Sequence, residues 1–135
     1  MIDFTLDKRL ANDCHLLIED DWFYLLLMDN AFVPWFIFVP KTNKTEWFQL
    51  SSEQQLNTMQ QINQVSEFLC KELKTDKINV ATIGNMVKQM HIHIIGRYID
   101  DPYWPGVVWG DANKRSYNET ELEQLRQQFL SFINN

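Results

Sequence analysis

Two of the three histidines in this chain, His91 and His93, are separated by a single residue. The surrounding segment, residues 87–98, is predicted to be a strand, and alternate residues of a strand share a face. Gln89 is therefore expected on the same face as the two histidines, while the apolar residues between them turn toward a core. A row of this kind could bind a metal, belong to a catalytic triad, act as a nucleophilic site, or be only the polar side of a half-exposed strand.

The first two kinds of chemistry lack supporting residues in the sequence. His-x-His on a strand can hold zinc or iron, but a third ligand is needed. The positions four and five residues after His93, where one common pattern has Glu, hold Arg97 and Tyr98. A triad needs a Ser or Cys nucleophile, yet no GxSxG turn occurs and neither Cys14 nor Cys70 lies in a supporting motif. A metal site at the two histidines stays a distant alternative.

A nucleophilic histidine needs fewer residues. A neutral imidazole attacks phosphorus well when its other ring nitrogen is held by an acceptor. A second histidine beside it can stabilise phosphate charge or pass a proton. The Gly84-Asn85 break before the strand could offer backbone amides to the same row.

At these residues the sequence resembles the histidine triad (HIT) superfamily of nucleotide hydrolases and transferases. The family motif is His-φ-His-φ-His-φ-φ, where φ is apolar, and six of its seven positions match the run Gln89-Met90-His91-Ile92-His93-Ile94-Ile95. The departure is Gln89, which stands in the place of the first His. Its amide cannot titrate, although it can still fix geometry.

The likeness covers about residues 15–98. Gly84-Asn85-Met86-Val87 resembles the family's approach to the triad, and Val39-Pro40-Lys41 resembles its Val-Ile-Pro-Lys segment. The chain is similar to a bacterial branch of small, Ap4A-hydrolase-like HIT proteins, in which Gln at position 89 is usual. The segment Asp101–Gly110, rich in Trp, Pro and Gly, resembles the tail of that branch.

The resemblance implies a two-step reaction. His91 would attack the α-phosphate of a nucleotide, and water would hydrolyse the resulting nucleotidyl-histidine. His93 would position the phosphate, and Gln89 would complete the catalytic row. Dinucleoside polyphosphates and nucleoside phosphoramidates are the implied substrates, and no metal or other cofactor is required. Because Gln89 and Met86 depart from the common pattern, a nucleotide-binding or interaction protein with little turnover is the alternative.

The resemblance also assigns binding roles outside the row. Asn85 would contact phosphate oxygens or the leaving group, with Gly84 beside it in the phosphate-binding set. From its position after the histidine strand, Arg97 could meet phosphate or be a solvated charge at the strand end. Asp29 would accept a ribose hydroxyl. Apolar residues of the first hairpin, such as Phe23 or Leu25, could line the base pocket.

Length and charge set the broad class. The chain has 135 residues and a net charge of −6, with dispersed Lys and Arg, so a nucleic acid polymer is not expected as a partner. No apolar run approaches the roughly 20 residues that span a bilayer. The beginning of the sequence does not resemble a signal peptide. We therefore expect a cytoplasmic protein, and the resemblance implies a homodimer.

The elements that must position these residues follow from periodicity. The predicted strands are 14–19, 22–28, 34–39, 78–83 and 87–98. A helix over 6–12 is expected to be capped by Thr5, and a last helix covers 119–133. A long helix after Ser51 and Ser52 carries a predicted buried stripe of Leu56, Met59, Ile62, Val65, Leu69 and Leu73.

This pattern predicts an α+β fold with an antiparallel sheet of about five strands and one long helix packed on it. Residues 1–135 are expected to form one domain. Its core would cover about 15–98, and the Trp/Pro/Gly loop and last helix would occupy 99–135.

Overall fold

The computed structural model describes residues 3–135 and has an α+β fold. Five strands form one sheet in the order β1-β2-β3-β5-β4, and all neighbours are antiparallel. In chain order the elements are α1 (Lys8–Asp13), β1 (Cys14–Glu19), β2 (Phe23–Met28), β3 (Trp35–Pro40), a 3₁₀ turn (Trp47–Gln49), α2 (Ser52–Lys71), β4 (Lys77–Ala81), β5 (Ile92–Arg97) and α3 (Glu119–Ile133). The predicted fold class, with its long helix and C-terminal helix, is confirmed.

The two faces of the sheet are covered by different elements. Ile92 and Ile94 of β5 are buried in the core that includes α2 and α3. Ile95 packs on the opposite face with Trp35 and Leu10. Alternation along β5 therefore leaves His93 on the side of α1, away from the long helix.

The long helix is capped as predicted, but its buried face differs from the expected stripe. Ser51 accepts a hydrogen bond from the Gln54 backbone N–H, and the Gln54 side chain accepts from the Ser51 N–H. Leu56 and Met59 are 61% and 47% exposed, so their predicted place in the stripe is wrong. The buried residues are Thr58, Ile62, Val65, Phe68 and Leu69. Apolar spacing indicates a shared face but not which edge of that face meets the sheet.

The N-terminal segment lies on the other face of the sheet. Its helix α1 is capped by Asp7, whose carboxylate accepts from the Arg9 N–H at 2.8 Å, so the predicted cap at Thr5 is wrong. Leu10 is buried against Trp35 and its neighbours and anchors this helix.

The strand predicted over 87–98 is shorter than expected. It begins at Ile92 and ends at Arg97, and the segment from Gly84 to His91 is irregular. Gln89 is consequently outside the strand, and alternation does not control where its side chain points. None of the helices in the part of the chain that the structure describes is long and apolar enough to cross a membrane.

Candidate active site

A pocket of about 260 Å³ opens on the α1 side of the sheet and contains both histidines of the motif. Its polar lining residues include His91, His93 and Asn85, and its apolar lining includes Trp35, Ile37 and Trp109. β3 and β5 supply the floor, α1 supplies one wall, and the segment 83–87 supplies the other. The predicted row of chemistry-bearing residues is therefore partly brought together in one concave site.

His91 is held by a main-chain acceptor. Its Nδ1 lies 2.7 Å from the carbonyl oxygen of Gln89. A carbonyl only accepts, so this contact requires the proton on Nδ1 and leaves the lone pair on Nε2. This is the tautomer that a nucleophilic histidine needs.

His93 has the opposite arrangement. The indole N–H of Trp35 donates to Nδ1 of His93 at 2.9 Å. Burial, with a smaller contribution from neighbouring His91, lowers the pKa of His93 from 6.5 to about 3. The ring is neutral at physiological pH, and because Nδ1 accepts, its proton is on Nε2. His93 therefore presents a neutral N–H donor.

The two imidazoles are close and partly shielded from water. Their ring centroids are 5.0 Å apart with an interplanar angle of 70°, and Trp109 packs edge-on against His93 at 5.1 Å. Both histidines are buried. One lone pair and one N–H donor thus face a shared, largely apolar pocket, where a hydrogen bond to an anion is stronger than in water.

Gln89 does not line this pocket among the described residues. Its amide is occupied by the N-terminal segment: its Oε1 accepts from the Asp7 N–H at 2.8 Å, and its Nε2 donates to the Thr5 carbonyl at 2.9 Å. The side chain that resemblance placed in the catalytic row therefore connects two distant parts of the chain.

Gly84 and Asn85 both line the pocket, and their contact with phosphate stays a prediction. Gly84 has a φ of +67°, a conformation that L side chains rarely adopt, and this turn brings the chain from β4 to the rim of the pocket. Met86 is largely exposed beside them.

Comparison with known proteins agrees with this arrangement. The HIT domain profile matches residues 9–100, which include both histidines and all five strands. This chain belongs to the HIT family.

Three solved bacterial structures are similar to this HIT protein over nearly its whole length. A histidine triad protein from Marinobacter aquaeolei is 37% identical, with 97% of this chain and 96% of that chain covered and a TM-score of 0.91. One from Sinorhizobium meliloti is 33% identical, with 95% and 96% covered and a TM-score of 0.90. One from Bradyrhizobium japonicum is 32% identical, with 96% and 98% covered and a TM-score of 0.91. No curated protein matches the chain.

Asp29 does not line the pocket of this HIT protein. Its carboxylate accepts from His15 Nε2 at 3.0 Å and from the Tyr117 backbone N–H at 2.9 Å. Burial raises the pKa of Asp29, but the hydrogen bonds from His15, Tyr117 and Ser116 outweigh it and lower the pKa below its usual value. In this structure the side chain links β1 and β2 to the segment before α3.

Arg97 is also outside the pocket. It forms a bidentate ion pair with Asp101, at 2.9 and 3.1 Å, and donates to Asn79 at 3.0 Å. Both partners of the ion pair are buried, with side-chain exposures of 2% and 1%. The guanidinium ties the end of β5 to the loop after it.

The suggested base-pocket residues lie on the wrong face. Phe23 and Leu25 are buried in the core under α2, opposite the histidine pocket. The hairpin residues that line the pocket are Met28, Trp35 and Ile37. Alternation explains the difference: Leu25 pairs with Phe38, whereas Ile37 pairs with His93 and shares its face.

The lining residues that sequence reasoning missed include Arg9, Asp13, Trp35 and Trp109. Arg9 and Asp13 are four residues apart and share one face of α1, a pattern that looks like an ordinary solvated helix surface. Trp35 could have been found from strand register, because it faces the same way as Ile37. Trp109 belongs to the aromatic segment Asp101–Gly110, and nothing in the local sequence indicates that its ring packs against His93.

Proposed function

We propose that this HIT protein is a nucleotide phosphohydrolase or nucleotidyl transferase in which His91 is the nucleophile. The observation that carries the proposal is the complementary pair of tautomers. His91 presents an Nε2 lone pair because the Gln89 carbonyl holds its Nδ1 proton, and His93 presents an Nε2 proton because Trp35 donates to its Nδ1. The substrates are dinucleoside polyphosphates or nucleoside phosphoramidates.

The first step forms a bond from His91 Nε2 to the α-phosphorus as the bond from phosphorus to the leaving group breaks. The leaving group departs with the bonding electron pair and takes a proton from the medium. The imidazolium that results keeps its proton on Nδ1, which still donates a hydrogen bond to the Gln89 carbonyl. His93 donates its Nε2–H to a phosphoryl oxygen, where negative charge increases in the transition state. Asn85 at the rim provides a further amide.

The second step returns the enzyme to its starting state. Water attacks the phosphorus, the phosphorus–nitrogen bond breaks, and the nucleoside monophosphate leaves with the water oxygen. His91 recovers its Nε2 lone pair, and the water proton goes to the medium. None of these steps requires a metal or another cofactor.

The substrate class rests on family likeness. A diadenosine triphosphate hydrolase from Plasmodium falciparum shares the fold at 19% identity and a TM-score of 0.64, with 96% of this chain and 79% of that chain covered. The proposed place of this chain in the bacterial, Ap4A-hydrolase-like branch rests on Gln89 and the aromatic tail.

The test is a panel of diadenosine triphosphate, diadenosine tetraphosphate and adenosine 5′-phosphoramidate, with rapid quenching and intact-mass measurement. Wild type should show a transient mass increase of one nucleotidyl group, and His91→Asn should lose turnover by at least about a thousandfold. His15→Asn is the matched control, because His15 pairs with Asp29 away from the pocket. Equal turnover by wild type and His91→Asn would disprove the nucleophile.

The nucleotide panel tests one alternative, and metal analysis of the purified protein tests the other. Tight nucleotide binding without turnover by wild type would indicate a binding protein. A metal-binding domain would show stoichiometric zinc that is lost in His93→Ala. Within residues 3–135 no cluster of three or more His, Cys, Asp or Glu is placed to hold a metal.

We also propose a homodimer through β4, one of the two edge strands of the sheet. β4 has a sheet neighbour on one side only, and an edge strand leaves N–H and C=O groups for another chain. Val80 on that edge is exposed, as are Ile83 and Val107. Sedimentation should show a dimer for wild type and a monomer for Val80→Lys, and a wild-type monomer would disprove the proposal.

A further inference from the structure

Resting on the proposed function, we propose that Gln89 is a positioning residue that holds α1 as a substrate-binding wall of the His91 pocket. Its side chain fastens the residues immediately before that helix. The Gln89 side chain therefore affects how tightly substrate binds. Its amide takes no part in the bond-breaking step. The hydrogen bonds from Asp7 N–H to Gln89 Oε1 and from Gln89 Nε2 to the Thr5 carbonyl are called here the Gln89 clamp.

The geometry of the clamp suits a primary amide. One side chain satisfies one donor and one acceptor of the backbone two residues apart, much as a neighbouring strand would. Gln89 is half-buried, and the positions it joins are 82 and 84 residues away in sequence. A carboxylate in its place would keep the bond from Asp7 but would oppose the Thr5 carbonyl, since neither oxygen can donate.

The clamp acts on the first residues of the α1 wall. Asp7 is the cap of α1, and Arg9 and Asp13 of that helix line the pocket with Leu10 between them. Phe4 and Leu6 also pack on the sheet, but apolar packing is not directional. Two hydrogen bonds of fixed geometry therefore set the position of the start of α1 and of Arg9 in its first turn, whereas the carbonyl of Asp13 at the other end accepts from the Asp29 N–H at 3.0 Å.

The chemistry of this wall defines what it recognises. Arg9 is the cation at the pocket and forms no ion pair within residues 3–135. It is suited to phosphate oxygens beyond the α-phosphate, and Asp13 is suited to a sugar hydroxyl. Gln89 also contacts the nucleophile, because its main-chain carbonyl accepts a hydrogen bond from Nδ1 of His91. Removing the side chain leaves that carbonyl in place.

Steady-state kinetics on the best substrate of the panel separates positioning from chemistry. Gln89→Ala should raise KM by roughly five- to tenfold, the effect of losing one or two neutral hydrogen bonds, with kcat within about twofold of wild type. Gln89→Glu keeps an acceptor for the Asp7 N–H but opposes the Thr5 carbonyl, so it should also raise KM. Gln60→Ala, an exposed glutamine on α2, is the matched control and should match wild type.

Asp7 offers a second, independent break of the clamp. Asp7→Pro removes the donor N–H at a φ of −54°, which proline adopts, and Asp7→Ala removes only the capping carboxylate. KM should rise more for Asp7→Pro than for Asp7→Ala. In the Gln89→Ala background, Asp7→Pro and Asp7→Ala should give the same KM, because both lack the cap and the hydrogen bond that distinguishes them is already absent. Independent, multiplicative effects would overturn the proposal.

Hydrogen exchange and nucleotide binding test the clamp apart from turnover. The Asp7 amide should exchange slowly in wild type and Gln60→Ala and at least about tenfold faster in Gln89→Ala. Binding of adenosine 5′-monophosphate should weaken in parallel. If wild type turns over no substrate but these differences hold, the proposed function fails and the clamp stands. A fall in kcat at constant KM, or unchanged Asp7 exchange, would overturn the clamp.

Discussion

At the scale of single residues, His91 and His93 differ because their Nδ1 atoms have different partners. One faces a carbonyl acceptor and the other faces an indole donor, so the two rings carry their protons on opposite nitrogens. Two identical side chains with one residue between them thereby acquire two roles. Burial completes the difference by keeping His93 neutral, with its pKa lowered to about 3.

The buried, neutral His93 should make the protein less stable in acid. The unfolded chain protonates this histidine near 6.5, whereas the folded chain does so near 3, so the unfolded state binds more protons between these values. As pH falls from 6.5, the free energy of unfolding should decrease by up to about 1.4 kcal/mol per pH unit from this group.

Urea unfolding at pH 7, 6 and 5 measures this slope. As pH falls from 7 to 5, the unfolding free energy of wild type should decrease more than that of His93→Asn. His15→Asn should keep the wild-type contribution of His93. Parallel curves for wild type and His93→Asn would show that His93 is not held neutral.

At the scale of elements, the site depends on how closely β5 passes the end of α2. Gly96 lies at this crossing, and a Cβ there would be 2.5 Å from Thr75 Cγ2 and 3.0 Å from Pro34 Cγ. The Gly96 N–H also donates to the Pro34 carbonyl, which fixes β5 beside the start of β3. This contact sets the register that places His93 beside Trp35.

Gly96→Ala should therefore destabilise the protein by about 1–3 kcal/mol, the range for overpacking a filled core. Thr75→Ser removes the nearest methyl group while keeping the hydroxyl that bonds to the Leu69 carbonyl. In chemical denaturation the double variant should recover part of the loss. No recovery would mean that the strain comes from Pro34 and Leu69 instead.

At the scale of the whole molecule, long-range polar contacts connect the segments that the sheet does not. Arg97 and Asp101 join the sheet to the aromatic loop, and Asp29 joins it to the segment before α3. Trp109 of that loop then covers His93. The division into a single domain over residues 1–135 and a cytoplasmic location stay predictions.

Arg97→Met should destabilise the fold by about 3 kcal/mol or more, because it leaves the buried Asp101 carboxylate without its cation. Lys71→Met breaks the exposed pair with Glu67 and should cost no more than about 0.5 kcal/mol. Thermal and urea unfolding of the two variants gives the comparison. Direct phosphate binding by Arg97 would instead appear as weaker nucleotide binding in Arg97→Lys with little loss of stability.

The sequence by itself determined the order and type of the main elements, the cap of α2 and the histidine motif, because periodicity and motif spacing are properties of neighbouring positions. It predicted α3 over 119–133, the hairpin of β2 and β3, and Ile92 and Ile94 as core residues. Only the tertiary structure decided which distant groups those residues meet. Gln89 forms hydrogen bonds with Asp7 and Thr5, which are 82 and 84 positions away in the sequence. Trp35 donates to His93, which is 58 positions away. Such pairings depend on the path of the whole chain, and no local pattern encodes them.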